Sequence, residues 1–502
     1  MKQLVLFDIK SEKDNWITKS FSANNLCTDT NRQALENLYS NILEITEKFN
    51  RKSVSYQLSK KEHIHRWLKY KEGFSSDLVA TLLEEMNICQ NDTVVDPFLG
   101  SGTTSLVCLL NGINSIGFDI MPMSKIATLA KTNIFKYDIK EIIKFKEYIN
   151  KNPRPKNYNL RTNSINITKG AYPIDTEYDI EYYCELIKQS NFSEDTKNLF
   201  ILCLLNSLEK ISYTAKDGQY LRWDYRSEKV LDSNKKRKEK GLPPIKVILN
   251  KGILPKVIDV LNSEIDIYIN DIMVIRNSFD KQKCNVNTKI FMNSALFGLQ
   301  NIESNSINGV ITSPPYCNRY DYTRIYALEL AFMGISDYSI KQMRQELLSC
   351  TVESKNKLSR IKKFYHDINR DDDYIKIENI INNNFVLDEI IEALNKRKLN
   401  DDINNSGVIR MVRGYFEELT IIFYELFRIC KHGAMVAFVN DNVRYAGEII
   451  PIDFMSTQIA EIIGFKPKRI YSLKQQKGNS SQQMKKFGRV PLRKSITIWE
   501  KE

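Results

Sequence analysis

At 502 residues the chain is long enough for two or three domains around a large buried core, and its 42% hydrophobic and 27% charged content is that of a soluble globular protein. No apolar run approaches the roughly 18–20 residues a membrane helix needs, and Met1-Lys2-Gln3-Leu4-Val5-Leu6-Phe7-Asp8 is too short an apolar start for a secretory signal, so a cytosolic protein without a membrane partner is expected. A formal charge of +12 suits a polyanionic partner.

Residues 1–50 carry no interpretable motif. From 51 to 135 strand, loop and helix alternate as in an α/β sheet. Thr93-Val94-Val95-Asp96 reads as a short buried strand, followed by a Gly-rich turn and an apolar helix over 104–110. Asn111-Gly112 is a suitable left-handed helix end, and 115–119 forms the next strand. Residues 136–285 are polar, aromatic and helix-rich, and hold both the 217–226 aromatic-basic run and Lys235-Lys236-Arg237-Lys238. The α/β pattern returns over 286–335, with strands at 290–292 and 309–312. A highly charged stretch, 336–406, follows. The last segment, 407–502, has a long helical pattern over 408–430 and strands at 434–439, 469–471 and 495–499. A Gln- and Lys-rich loop, 474–486, lies between the last two strands. No internal repeat is visible. The 136–285 and 336–406 stretches read as insertions interrupting one sheet.

Three motifs carry chemistry. The first, Asp96-Pro97-Phe98-Leu99-Gly100-Ser101-Gly102-Thr103-Thr104, joins a strand to a helix. Its glycines let a ligand approach the backbone, the amides at the helix start can face a carboxylate, and Asp96 is placed to meet a cationic amine. A phosphate loop would need Gly-Lys-Ser/Thr, and no Lys follows Gly102. A tight turn without a ligand is the other reading. The second is Asp119 at the end of the next strand, near the about 20-residue spacing of an acid that binds ribose hydroxyls; a loop cap is its alternative. The third is Thr312-Ser313-Pro314-Pro315-Tyr316. Its prolines remove amide donors and leave carbonyl acceptors, which suits an incoming amino group. The Ser313 oxygen and the Pro314 carbonyl can accept both amino hydrogens, and Tyr316 can stack on a base; a rigid turn with a packed Tyr is the alternative.

Together these residues resemble the amino-methyltransferases of bacterial restriction–modification systems. The 96–104 turn looks like that family's cofactor motif, and Ser313-Pro314-Pro315-Tyr316 like its catalytic Ser/Asp/Asn-Pro-Pro-Tyr. Tyr70-Lys71-Glu72-Gly73-Phe74-Ser75 is similar to its extra cofactor-contacting segment, and Gly117-Phe118-Asp119-Ile120-Met121-Pro122 fits its second strand. The resemblance covers roughly 54–135, 289–335 and 408–500. Where the family often has an Asp, this chain has Asn293-Ser294.

The resemblance implies a doubly wound, Rossmann-like methyltransferase sheet of seven strands. It implies S-adenosyl-L-methionine as cofactor, held by Tyr70, Phe74, Asp96, Pro97, Phe98, Gly100, Gly102, Thr103, Thr104 and Asp119. Ser313, Pro314, Pro315 and Tyr316 would be catalytic. The substrate would be a base flipped out of double-stranded DNA, with a cognate restriction endonuclease as a genetic partner. Ser-Pro-Pro-Tyr goes more often with N4 of cytosine, Asp-Pro-Pro-Tyr with N6 of adenine. A neutral Ser313 can also donate toward N3 of cytosine, which an ionised Asp cannot. Adenine N6, RNA or protein methylation, and an inactive recognition subunit are the alternatives. Insertion 136–285, helped by 336–406, is the expected target-recognition element. Arg222, Lys235, Lys236, Arg237 and Lys238 are candidate phosphate contacts, or else a solvated face.

Cys317 reads as a packing residue, because the Glu-Asn-Val partner that accompanies a nucleophilic Cys is absent. Asn318 and Asp321-Tyr322 either shape the catalytic loop or cap the next helix. The nine Cys residues form no Cys-x-x-Cys pair and the four His residues keep no ligand spacing with them, so reduced thiols and no metal site are expected.

Overall fold

The computed structural model describes residues 18, 20–159, 165–217, 220–247, 249–282, 285–473 and 484–502. Most of the Gln- and Lys-rich loop, 474–483, lies outside them. Eight strands make one sheet: β1 (Leu43–Thr46), β2 (Thr93–Asp96), β3 (Asn114–Phe118), β4 (Thr288–Phe291), β5 (Ile307–Thr312), β6 (Cys430–Asp441), β7 (Phe465–Leu473) and β8 (Lys494–Lys501). Their spatial order is β1-β7-β8-β6-β5-β2-β3-β4. Every neighbouring pair is parallel except those of β8, which runs antiparallel to β7 and β6.

The central strands are apolar because both of their faces are covered: Val94, Val95, Val310 and Ile311 are fully buried. The seven predicted strands are all present. The eighth, β1, adds in parallel to the edge of β7, and the sequence gives no sign of it. It is the four residues Leu-Glu-Ile-Thr, too short to show a period. Strand order runs outward from β2 through β3 to β4, then reverses, with β5 laid on the other side of β2. A crevice forms beyond the carboxyl ends of β2 and β5, the place where open α/β sheets bind ligands.

Helix α1 (Thr103–Leu110) follows β2 and ends as the Asn-Gly pair requires. Gly112 takes φ +72°, and the amide of Ile113 donates to the Cys108 carbonyl at 2.9 Å. Helix α2 (Pro122–Thr132) follows β3 with a proline at its start.

The two insertions are not detached bodies. Helix α3 (Glu194–Ser207) in the first is buried from Leu199 through Leu205 and shares a core with Ala127 and Ala130 of α2. The second insertion buries Ile361, Tyr365, Leu387 and Leu394 in one core with Val95, Phe118 and Val310. No described helix is long and apolar enough to cross a membrane.

Candidate active site

Asp96 closes β2, and its carboxylate is buried. Oδ1 accepts from Thr312 Oγ1 at 2.8 Å and from the Phe98 amide at 3.1 Å, while Oδ2 accepts from Thr104 Oγ1 at 2.8 Å. Burial pushes this carboxyl up to about 6 against those three hydrogen bonds, which favour the charged form. Asp96 therefore ties together the end of β5, the turn and the start of α1, and it also lines the adjoining cavity.

The two glycines of the turn serve different ends. Gly100, at φ +54°, lines the cavity, and a Cβ there would come to 3.0 Å from the Tyr70 ring. Gly102, at φ +77°, faces α2, where a Cβ would lie 2.4 Å from Thr128 Oγ1. Close helix packing demands Gly102. Neither Gly102 nor Thr104 reaches the cavity wall. From below, the buried Lys131 of α2 donates to the Ser101 carbonyl at 2.8 Å, and burial holds its ammonium down to about 7.

Asp119 stands just past β3, facing the turn. It accepts from the amides of Gly100 and Met121, each at 2.8 Å, and burial pushes it up to about 6. Tyr70 stacks on Tyr326 with ring centroids 4.9 Å apart, and the Tyr326 hydroxyl donates to Glu72 at 2.6 Å. Burial pushes the Glu72 carboxyl up.

These groups surround one cavity at the carboxyl ends of β2 and β5. Tyr70, Phe74, Pro97, Phe98, Ile120 and Met121 supply apolar wall, and Thr103 stands at the helix start. Glu72, Asp96, Asp119 and Glu346 supply carboxylates, and no Lys, Arg or His is part of the described wall. Such a wall suits a cationic ligand and disfavours a phosphorylated one.

Ser313 and Pro315 open onto the same cavity, so the turn after β2 and the loop after β5 serve one site. Pro314 is buried and, like Tyr316, is not part of the wall. Ser313 Oγ donates to the Tyr316 hydroxyl at 3.2 Å. The Lys494 ammonium lies 5.0 Å from the Tyr316 ring centre and 3.4 Å from Asp441.

Beyond Tyr316 the chain turns sharply. The Asn318 amide donates to the Tyr316 carbonyl at 2.7 Å, and Asn318 Oδ1 accepts from the Tyr320 amide at 3.1 Å. Asn318 thus shapes the loop. Asp321 caps the helix Tyr322–Ile325 by accepting from the Thr323 amide at 3.0 Å, and Tyr322 lines the cavity. Cys317 is wholly buried in the core, in keeping with the packing reading.

The basic candidates lie apart from the cavity. Arg222 is on the second strand of the hairpin Thr214–Asp217 and Tyr220–Trp223, exposed and paired with Asp217 at 2.7 Å. That hairpin packs against the helix Tyr322–Ile325. Lys235, Lys236 and Lys238 are exposed on α4 (Glu228–Glu239), and Arg237 donates to the Pro243 carbonyl at 2.6 Å.

Sequence reasoning missed several wall residues. Glu72 sits inside the Tyr70–Ser75 segment, and that segment's resemblance is the signal that could have found it. Asn293 and Ser294 stand out in the sequence only as a departure from the family, yet both line the cavity. Glu346, Leu347 and Leu348 come from the second insertion, which the sequence assigns to target recognition only, and no local signal marks them.

A family model described as DNA methylase matches residues 7–132, a span that includes the Gly-rich turn and Asp119 and stops short of the 312–316 loop. The chain is 53% identical over 500 residues to the type II methyltransferase M.BsoBI of Geobacillus stearothermophilus, covering 98% of this chain and 96% of that one. It is 36% identical over 496 residues to the type II methyltransferase M.AvaI of Nostoc sp., with the same two coverages. The type II methyltransferase M.MjaII of Methanocaldococcus jannaschii is 30% identical over 177 residues, 32% of each chain.

Proposed function

The chain belongs to the type II DNA methyltransferases, the amino-methyltransferases of restriction–modification systems, and from that premise we propose that it methylates N4 of cytosine in double-stranded DNA, with S-adenosyl-L-methionine as methyl donor. The observation that carries this reading is the shared cavity: Ser313 and Pro315 open onto the same space as Asp96, Gly100 and Asp119.

The wall fits the cofactor. S-adenosyl-L-methionine has a sulfonium and an ammonium against one carboxylate, a net cation, which Glu72, Asp96 and Asp119 would meet, while Glu346 is already paired with Arg360. When bound the cofactor supplies a methyl group already activated for transfer. Asp119 would take the ribose hydroxyls, the turn and the start of α1 the carboxylate, and Glu72 and Asp96 the cationic end. The rings of Tyr70, Phe74 and Phe98, which line the cavity, would exclude water around it. Asn293, at the position where the family often has an Asp, is an amide that can both donate and accept toward the adenine edge.

The target amino group is unreachable within a duplex, so the base must be flipped. Its nitrogen lone pair is delocalised into the ring. Acceptance of the amino hydrogens by Ser313 Oγ and the Pro314 carbonyl would favour a pyramidal nitrogen, whose lone pair would form the N–C bond as the donor's S–C bond breaks, with one amino proton released to solvent. Positioning supplies most of the acceleration. The Ser313 hydroxyl can rotate away from Tyr316 and donate toward N3 of cytosine, a role an ionised Asp at this position could not fill. The Tyr316 ring serves as the stacking face for the base.

The first insertion is the proposed target-recognition element, since its hairpin packs beside the catalytic loop and α4 presents exposed basic residues. The second insertion completes the cofactor wall with Leu347 and Leu348. The protein would act in the cytosol, alongside a cognate endonuclease. The test is transfer of labelled methyl from S-adenosyl-L-methionine to purified DNA, RNA and protein in parallel. Label in DNA alone is the expected result, and label in RNA or protein alone removes the proposal.

A further inference from the structure

Just after the catalytic loop stands a cation without a counter-charge among the described residues. Arg319 holds φ +67°, a left-handed conformation that a long side chain adopts only under constraint. The constraint is the tight turn in which Asn318 Oδ1 accepts from the Tyr320 amide at 3.1 Å, with Arg319 between them. Its guanidinium lies 5.6 Å from the ring centre of Tyr445, and the Tyr445 hydroxyl donates to the Cys317 carbonyl at 2.7 Å. The aromatic shelf and the catalytic loop are therefore pinned to each other. Arg319 Nε is buried with no hydrogen-bond partner, and among the described residues no carboxylate pairs with this guanidinium.

The neighbouring cations differ. Arg324 and Arg344 both pair with Asp321, at 3.1 and 2.9 Å, and Lys494 pairs with Asp441. Arg319 is also on the substrate side. It follows β5, and Tyr445 belongs to the hairpin Val443–Tyr445 and Glu448–Ile450 that follows β6, so both lie beyond the carboxyl ends of adjacent strands. A half-buried guanidinium lacking an anion is unfavourable in the free protein, and its planar fork matches a phosphodiester.

We propose that Arg319 binds a backbone phosphate of the DNA strand that carries the target base, gripping the chain beside the flipped nucleotide while the Ser313–Tyr316 loop holds the base. This rests on the DNA-methyltransferase reading above and adds to it a specific phosphate site.

The experiment uses the full chain and a duplex containing the sequence it modifies. Kd for DNA is measured against salt for the wild type, Arg319→Gln and Arg319→Lys, together with kcat and KM. Arg319→Gln is expected to raise Kd and KM for DNA about tenfold with kcat little changed, and to lower the salt slope by about 0.9, the release expected for one phosphate contact. Arg319→Lys restores the slope while recovering only part of the affinity. A scan of neutral methylphosphonate linkages around the modified base should find one position where the wild type loses affinity and Arg319→Gln does not. Unchanged cofactor binding and thermal unfolding separate this from a folding defect, and the scan on the wild type alone stands if the variant fails to fold. A wild-type salt slope in Arg319→Gln, or a wild type indifferent to every neutral linkage near the base, overturns the proposal. If the wild type transfers no methyl to DNA, the underlying function falls instead, a different outcome from the same assay.

Discussion

Thr312 Oγ1 donates to Asp96 Oδ1 at 2.8 Å, across the point where strand order reverses. The bond joins the last residue of β5 to the last residue of β2, and with them the Ser313–Tyr316 loop to the Gly-rich turn. Thr312→Val keeps the shape and leaves one buried carboxylate oxygen short of a donor. It should lower stability by about 1–3 kcal/mol and weaken cofactor binding and turnover together. Asp96→Ala and Asp119→Ala should each weaken S-adenosyl-L-methionine binding by about 1–3 kcal/mol. Calorimetry on the three variants checks this, and wild-type affinity throughout would show that the acids are only structural.

Asp96 and Asp119, both raised by burial to about 6, give a pH dependence with a definite sign. Their folded values exceed the ordinary value near 3.8, so the folded protein holds more protons between the two. Their contribution to stability is full below the unfolded value and is lost as pH rises through about 6. Binding of a cationic cofactor needs the ionised carboxylates and runs the other way, weakening as pH falls below about 6. Titrating cofactor affinity from pH 8 to 5 should show that fall in the wild type and a smaller one in Asp119→Asn. A flat wild-type profile would rule out both acids as cofactor contacts.

The glycines should separate under substitution. Gly102→Ala drives a Cβ into Thr128 at a left-handed φ and should cost about 1–3 kcal/mol of stability, partly relieved by adding Thr128→Ala. Gly100→Ala shares the left-handed strain but meets only the edge of the Tyr70 ring, so its smaller stability cost should come with weaker cofactor binding. Thermal unfolding and calorimetry on the three proteins decide between these roles.

Replacing Lys235, Lys236, Arg237 and Lys238 with Gln should weaken DNA binding and flatten its salt dependence, by about 0.9 in slope for each phosphate that the helix no longer neutralises. An unchanged slope would leave α4 as a solvated face.

Much of the sheet was legible because its strands are short buried runs ending in turn chemistry: Val94-Val95 before a Gly-rich turn, Val310-Ile311 before two prolines. β1 was not, since four residues at a sheet edge carry no periodic signal. The two motifs were legible as motifs, but the division of labour inside them was not. That Gly102 answers to Thr128, and that Asp96 is engaged by Thr104 and Thr312, are tertiary facts. Leu347 and Leu348 reach the cavity from a charged insertion far along the chain, and only the folded structure brings them there.

The most direct measurement is nucleoside mass spectrometry of DNA from cells expressing the wild type or Ser313→Ala, against cells with neither. N4-methylcytosine should appear with the wild type and vanish with Ser313→Ala, while the purified variant still binds cofactor. N6-methyladenine in its place would contradict the choice of base. No methylated base at all, or methylation indifferent to Ser313, would contradict the catalytic role of the loop.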